Sequence, residues 1–250
     1  MGRSDLPNLV YNLNMRVEPY SIDSIVHITK RGTRVMDIVR NLDDRKRFTK
    51  SLFLLNEVHS DAYWHREVAN LSAFERPSHW PEREPLVRIL AWTLLSNHFH
   101  LLLQEIREGG AAKFMQRLGG SMSMCFNLKY KEKGSIFQSA YHGRIVESGE
   151  HLNYLAFYIL VKNVLEMYPG GLKEALTHFD DAWEWSTKYP FSSLTDITSG
   201  EPTPIVDDIE GLMSGIIGRG NSFKKEAKEL LEMHMVSHGG DFSTTMLEPW

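Results

Sequence analysis

The chain has 250 residues, 42% of them hydrophobic and 24% charged, with a formal net charge of −4. That length suits one large domain, or one domain with an appendage, that buries a sizeable core, and no apolar run approaches the roughly 20 residues of a membrane span. The single Cys125 excludes a disulfide framework and a multi-cysteine zinc site, and no signal-peptide core follows Met1-Gly2-Arg3-Ser4-Asp5, so a cytoplasmic protein with no membrane partner is expected.

Residues 1–20 contain Pro7 and Pro19 without a sustained period and read as an irregular arm. Ser24–Lys30 is β-branched and alternating, which predicts a first strand broken by Arg31-Gly32-Thr33. Leu42-Asp43-Asp44 opens a helix through Phe48, Leu52 and Leu55, with an aspartate placed to accept free amide hydrogens. A second strand is expected near Ala62–His65, and Pro77, Pro81 and Pro85 mark a loop before Leu86–Leu95.

The most telling stretch follows, Leu94-Leu95-Ser96-Asn97-His98-Phe99-His100-Leu101-Leu102-Leu103. Ser96-Asn97 reads as a tight turn joining two strands of a hairpin. On the second strand side chains alternate, so His98 and His100 share one face, while Phe99, Leu101 and Leu103 enter a core. Two neutral imidazoles on one rigid face can share a divalent cation. By itself such a pair is more often a partly buried or surface pair than a metal site, and a catalytic metal asks for a third protein ligand.

After Gly109-Gly110, Phe114, Leu118, Met122 and Phe126 recur at spacings of four and predict a helix over 111–131, weakened in its middle by Gly119-Gly120. Ile136–Val146 reads as an extended segment ending in a strand. Glu150–Met167 is a strong helix pattern closed by Pro169-Gly170-Gly171, and a further helix spans Gly171–Trp185. Pro202 and Pro204 suggest a linker before two short amphipathic helices, Asp207–Ile217 and Ser222–His234, and a frayed end from Gly239 to Trp250.

Charge is unevenly spread. Residues 28–50 hold eight basic side chains against three acidic ones, residues 113–144 hold six against one, and the acidic excess comes after Glu174. A basic front is compatible with a phosphate-backbone partner, and equally with a solvated mixed-charge surface.

Several of these pieces, in this order, resemble one family. Ser96-Asn97-His98-Phe99-His100-Leu101-Leu102 resembles the His-hydrophobic-His signature of single-tyrosine HUH transposases, above all the REP-associated tyrosine transposases. His27-Ile28-Thr29-Lys30-Arg31-Gly32 is similar to that family's first strand and turn. Phe114–Leu118, Ile136–Tyr141, Tyr158–Val164 and Tyr189–Ser193 are similar to its later segments, so the resemblance covers about residues 24–194.

The resemblance implies an α+β domain over residues 21–200, with a ferredoxin-like (RRM-like) antiparallel sheet of four or five strands and packed helices. A small helical extension would occupy 201–250. It implies Tyr158 as nucleophile on single-stranded DNA carrying a hairpin, a covalent 5′-phosphotyrosine, Mg²⁺ or Mn²⁺ on His98 and His100, a homodimer, and a prokaryotic setting. Free tyrosine has a pKa near 10, so its attack needs help. The family's third ligand is a polar residue four positions after the tyrosine; here that position is Lys162, which as a cation cannot ligate. Asn163 is rotated by about 140° from Tyr158 in a regular helix, and a one-residue π-bulge would bring it onto the right face.

For DNA contact the expected residues are Lys30, Arg31, Arg34, Arg117, Lys129, Lys131, Arg144 and Lys162. Lys162 could also favour a tyrosinate. His27, His142 and His151 read as structural, and Trp183-Glu184-Trp185 as packing. Two other readings stay open: a silent or domesticated relative that only binds DNA hairpins, and an unrelated metal-dependent hydrolase using His98 and His100.

Overall fold

The β-branched alternation of the first strand and the unbroken apolar runs around the histidines build one sheet. In the computed structural model, which describes residues 20–59, 61, 63–199, 203–208, 211–218 and 221–237, β1 (Ile25–Arg31), β2 (Val87–Leu94), β3 (His98–Glu105) and β4 (His142–Ile145) form an antiparallel sheet in the order β2-β3-β1-β4. The arm up to residue 19 and the end after residue 237 lie outside the described residues, as does most of the Pro202 linker. The Ser96-Asn97 turn closes the β2–β3 hairpin, with the Leu95 amide donating to the His98 carbonyl at 2.9 Å.

Helix α1 (Leu42–Leu54) starts on an Asn41 cap, whose Oδ1 accepts from the Asp44 amide, while Asp44 accepts from the Arg40 amide. Both α1 and α3 (Gly110–Tyr130) lie on the sheet face carrying Val26, Ile28, Phe99, Leu101 and Leu103, where Phe48, Leu52, Phe114 and Leu118 complete the core. Gly110 is needed where α3 begins, because a Cβ there would meet the Leu86 carbonyl oxygen at 2.2 Å. Gly119, which propensity counts against α3, lies under the Lys30 side chain; a Cβ would stand 2.8 Å from Lys30 Cε.

Where a strand was expected near Ala62–His65, the chain makes the short helix α2 (Trp64–Glu67), and Ala62 itself lies outside the described residues. Trp64 is buried against the α1 side of the core, so the aromatic residues mark a helical contact and not a pleat.

The opposite face is covered by α4 (Gly149–Phe157), a π-helical turn (Tyr158–Lys162) and α5 (Asn163–Leu165), which run on as one helix. An irregularity in the β2–β3 register between Ile89 and Ala91 turns both Leu90 and Ala91 to this side, where they join Leu102. The helix expected over Gly171–Trp185 is two, α6 (Gly171–Thr177) and α7 (Phe179–Ser186), broken at His178 by its non-helical backbone. α8 (Leu194–Ser199), α9 (Leu212–Ile217) and α10 (Asn221–Ser237) follow, and Leu194, Met213, Ile217, Phe223 and Leu231 belong to the same buried cluster as Leu102 and Ile159.

Candidate active site

Register fixes the site. Across the sheet, His100 lies between Thr29 of β1 and Thr93 of β2, and His98 lies opposite Arg31. Alternation therefore turns His98, His100, His27 and Thr29 toward the face that the Tyr158 helix covers. The His98 and His100 rings are 5.0 Å apart, and the Tyr158 ring stands edge-on to His100 at 5.5 Å.

His98 and His100 each engage Nδ1 with a neighbouring side chain. His98 Nδ1 is 2.6 Å from Asn97 Oδ1. His100 Nδ1 is 2.9 Å from His27 Nε2 and 3.1 Å from Thr29 Oγ1. Such partners on the far nitrogen are how ligating imidazoles are usually oriented. Burial, reinforced by the nearby Arg31 and Lys162 charges, pushes His98 down to about 3. Burial with the His151 charge pushes His27 down to about 4, and burial holds His100 well below the ordinary histidine range. All three rings are neutral near pH 7.

The helix over them is not a regular α-helix. The Asn163 amide reaches back five residues to the Tyr158 carbonyl. The Ile159 carbonyl, which an α-helix would offer to that amide, accepts from Thr93 Oγ1 on β2 instead. A side chain inserted into the helical ladder in this way is a recognised cause of a bulge. Asn163 is fully buried, and neither polar atom of its amide has a hydrogen-bond partner among the described residues. Among those residues no three His, Cys, Asp or Glu side chains come together as a metal-holding group.

Lys162 is 2% exposed, with its Nζ 2.5 Å from Glu166 Oε1 and 3.4 Å from the Tyr158 hydroxyl, over whose ring it also sits. Tyr158 itself is 8% exposed. Beside this group lies an open cleft of about 510 Å³, lined by Arg31, Asp37, His98, Lys162, Glu166 and Lys173 among others.

The expected DNA-contact residues scatter. Arg31 lines the cleft, and Arg144 is exposed on β4, whose register with His27 puts it on the histidine face. Arg34 and Lys131 are exposed, each with a positive φ. Lys30 points to the other face, buried, with its Nζ donating to the Ser139 and Ala140 carbonyls. Arg117 donates to the carbonyls of Glu57, Val58 and His59, and Lys129 to Asn41 and Asp44. All three cations are thus held by groups of the chain itself, Lys30 in the interior and Lys129 at the surface.

Three members of the group are not among the site residues expected from sequence. His27 and Thr29 back His100, and their alternate spacing on a strand was the available signal. Glu166, four residues after Lys162, was legible as a same-face helical pair.

No protein-family model and no curated protein matches the sequence. A solved structure described as that of a REP-associated tyrosine transposase bound to a REP hairpin aligns with 75% of this chain and 87% of its own, at 14% identity and a TM-score of 0.38. The likeness is distant.

Proposed function

We propose that this chain is a single-strand DNA transesterase in which Tyr158 is the nucleophile and the His98–His100 face holds a divalent ion. One observation carries the reading: the π-helical turn runs past a Tyr158 ring edge-on to His100 and buries an amide, Asn163, that no group among the described residues satisfies. The antiparallel strand order β2-β3-β1-β4, with helices between β1 and β2 and between β3 and β4, supports a ferredoxin-like sheet in this reading. The donor set fits a hard or borderline cation, with two neutral imidazoles and the Asn163 carbonyl oxygen as the residues that would hold Mg²⁺ or Mn²⁺. When bound, the ion supplies Lewis-acid polarisation of a phosphate oxygen.

The chain's own groups do the rest. The Tyr158 oxygen forms the bond to phosphorus, and the bond to the 3′ oxygen breaks, leaving a 3′-hydroxyl and a 5′-phosphotyrosine. The Lys162 ammonium, held by Glu166, donates toward the phenolic oxygen and favours negative charge there as the proton leaves. Arg31 and Lys173, at the cleft beside His98, are placed for the phosphate backbone. Hairpin-bearing single-stranded DNA is the partner in this reading, and a homodimer the acting unit. A second reading, hairpin binding without cleavage, is favoured by the 8% exposure of Tyr158 and by the hold of Lys162 on its hydroxyl.

Labelled single-stranded DNA carrying a hairpin, incubated with Mg²⁺ or Mn²⁺ and run on a denaturing gel, tests this. The expected result is a covalent band with wild type that is absent for Tyr158→Phe and His98→Ala. Tight hairpin binding with no adduct leaves the second reading standing and removes the first. Metal binding with neither DNA binding nor adduct points to the unrelated hydrolase.

A further inference from the structure

The basic run of α1 takes no part in the site just described, which lies on the other face of the sheet. Arg45 is held by Tyr189 and Ser96, and Lys50 by the carbonyls of Val68 and Leu71. Arg47 donates to Ser121 and sits over Trp64. Lys46 is exposed at the mouth of an open cavity of about 670 Å³, enclosed by α1, the α2 region and the Pro190-Phe191 segment. Lys46, Arg47, Lys50 and His65 line it, Trp64 and Phe191 wall it, and no carboxylate contributes to its lining. Two other clefts differ: the one at His98 has Asp37 and Glu166, and the one that shares Arg47 has Asp43 and Asp44.

The volume falls in the range of small-molecule sites, which run about 300–1,000 Å³. Its chemistry makes two demands. Three cations, with no carboxylate among the described lining residues and Glu75 near Lys50 alone, leave an excess of positive charge that calls for an anion, and the apolar aromatic walls call for a flat ring. Inorganic phosphate would leave the walls unused, and a neutral ring would desolvate the cations without compensation. A base stacked on an aromatic wall with its phosphate on Lys or Arg meets both.

We infer that this cavity binds one nucleoside phosphate, with its base against Trp64 and Phe191 and its phosphate on Lys46 and Arg47. The inference does not depend on the chemistry of Tyr158. The nucleotide has two possible sources, a free mononucleotide or an unpaired nucleotide within a strand, and both present the same groups.

Calorimetric titration of the full chain with dAMP, an unstructured hexamer of deoxyadenylate, deoxyadenosine and inorganic phosphate is the test. Saturable binding of dAMP or the hexamer is expected, with the nucleoside and phosphate alone at least about tenfold weaker, since each lacks one of the two contacts. Lys46→Glu, at an exposed side chain without a partner among the described residues, should weaken binding at least about tenfold with no change in melting temperature. Ala69→Phe, which fills the cavity without altering charge, should do the same, and His98→Ala should leave binding intact. Dependence on Lys46 and Ala69 with dAMP identifies the free nucleotide; the same dependence with the hexamer alone identifies a strand. Absence of saturation at millimolar ligand, or binding lost in His98→Ala and kept in Lys46→Glu, overturns the inference.

Discussion

Lys162 is a buried cation, and the residue one turn on answers it. Removing the Glu166 charge leaves the ammonium among apolar groups and the Tyr158 ring. Glu166→Gln should therefore lower stability by about 1.5–3 kcal/mol, the range for a hydrogen bond to a charged group, as measured by urea unfolding at pH 7. Lys30 has no such carboxylate, and burial lowers its pKa to about 8. Between pH 8 and its ordinary value of 10.5 the unfolded chain keeps a proton that the folded chain has released, so this residue's contribution to stability rises with pH across that window. The stability difference between wild type and Lys30→Met should thus move in favour of wild type from pH 8 to 10. A flat difference over that range would mean that Lys30 is not desolvated.

Among the elements, the hairpin, the first strand and both sheet-packing helices were legible because their hydrophobic periods survive into the fold. What misled was local. Trp64 looked like a strand residue by propensity, but it serves a short helix against α1. The break at His178 has no glycine or proline to announce it. The shared face of His98 and His100 was legible from spacing alone. The backing of His100 by His27 was not, because it depends on the β1–β3 register, which only the assembled sheet defines. Gly32 shows a tertiary need of the same kind. Its φ of −65° suits any residue, yet a Cβ would meet the Met36 carbonyl oxygen at 2.2 Å and Asn97 oxygen at 3.2 Å. Gly32→Ala should cost about 1–3 kcal/mol in urea unfolding, the usual range for overpacking.

At the scale of the molecule, two apolar layers flank one sheet, and the outer one takes side chains from α4 through α10. Met213, Ile217, Phe223 and Leu231 are buried in that layer, so the last helices share their core with the Tyr158 helix. Ending the chain at residue 205 should strip this cover, expose Leu90 and Leu102's neighbours, and lower the denaturation midpoint; an unchanged midpoint would show α9 and α10 to be energetically separate. The π turn bears on all of this through counting. It takes up one residue more than a regular turn, so the positions beyond it keep the phase they would have after an unbroken helix. Deleting a single residue between 159 and 162 should let the turn relax to 3.6 residues while its downstream half keeps the same side toward the sheet. Asn163 would then follow Tyr158 by four positions, about 40° round the helix, and the hydrophobic positions of α5 to α7 would keep their seats. The surplus residue is therefore absorbed where it stands, and a lineage could gain or lose that one codon without re-aiming anything downstream.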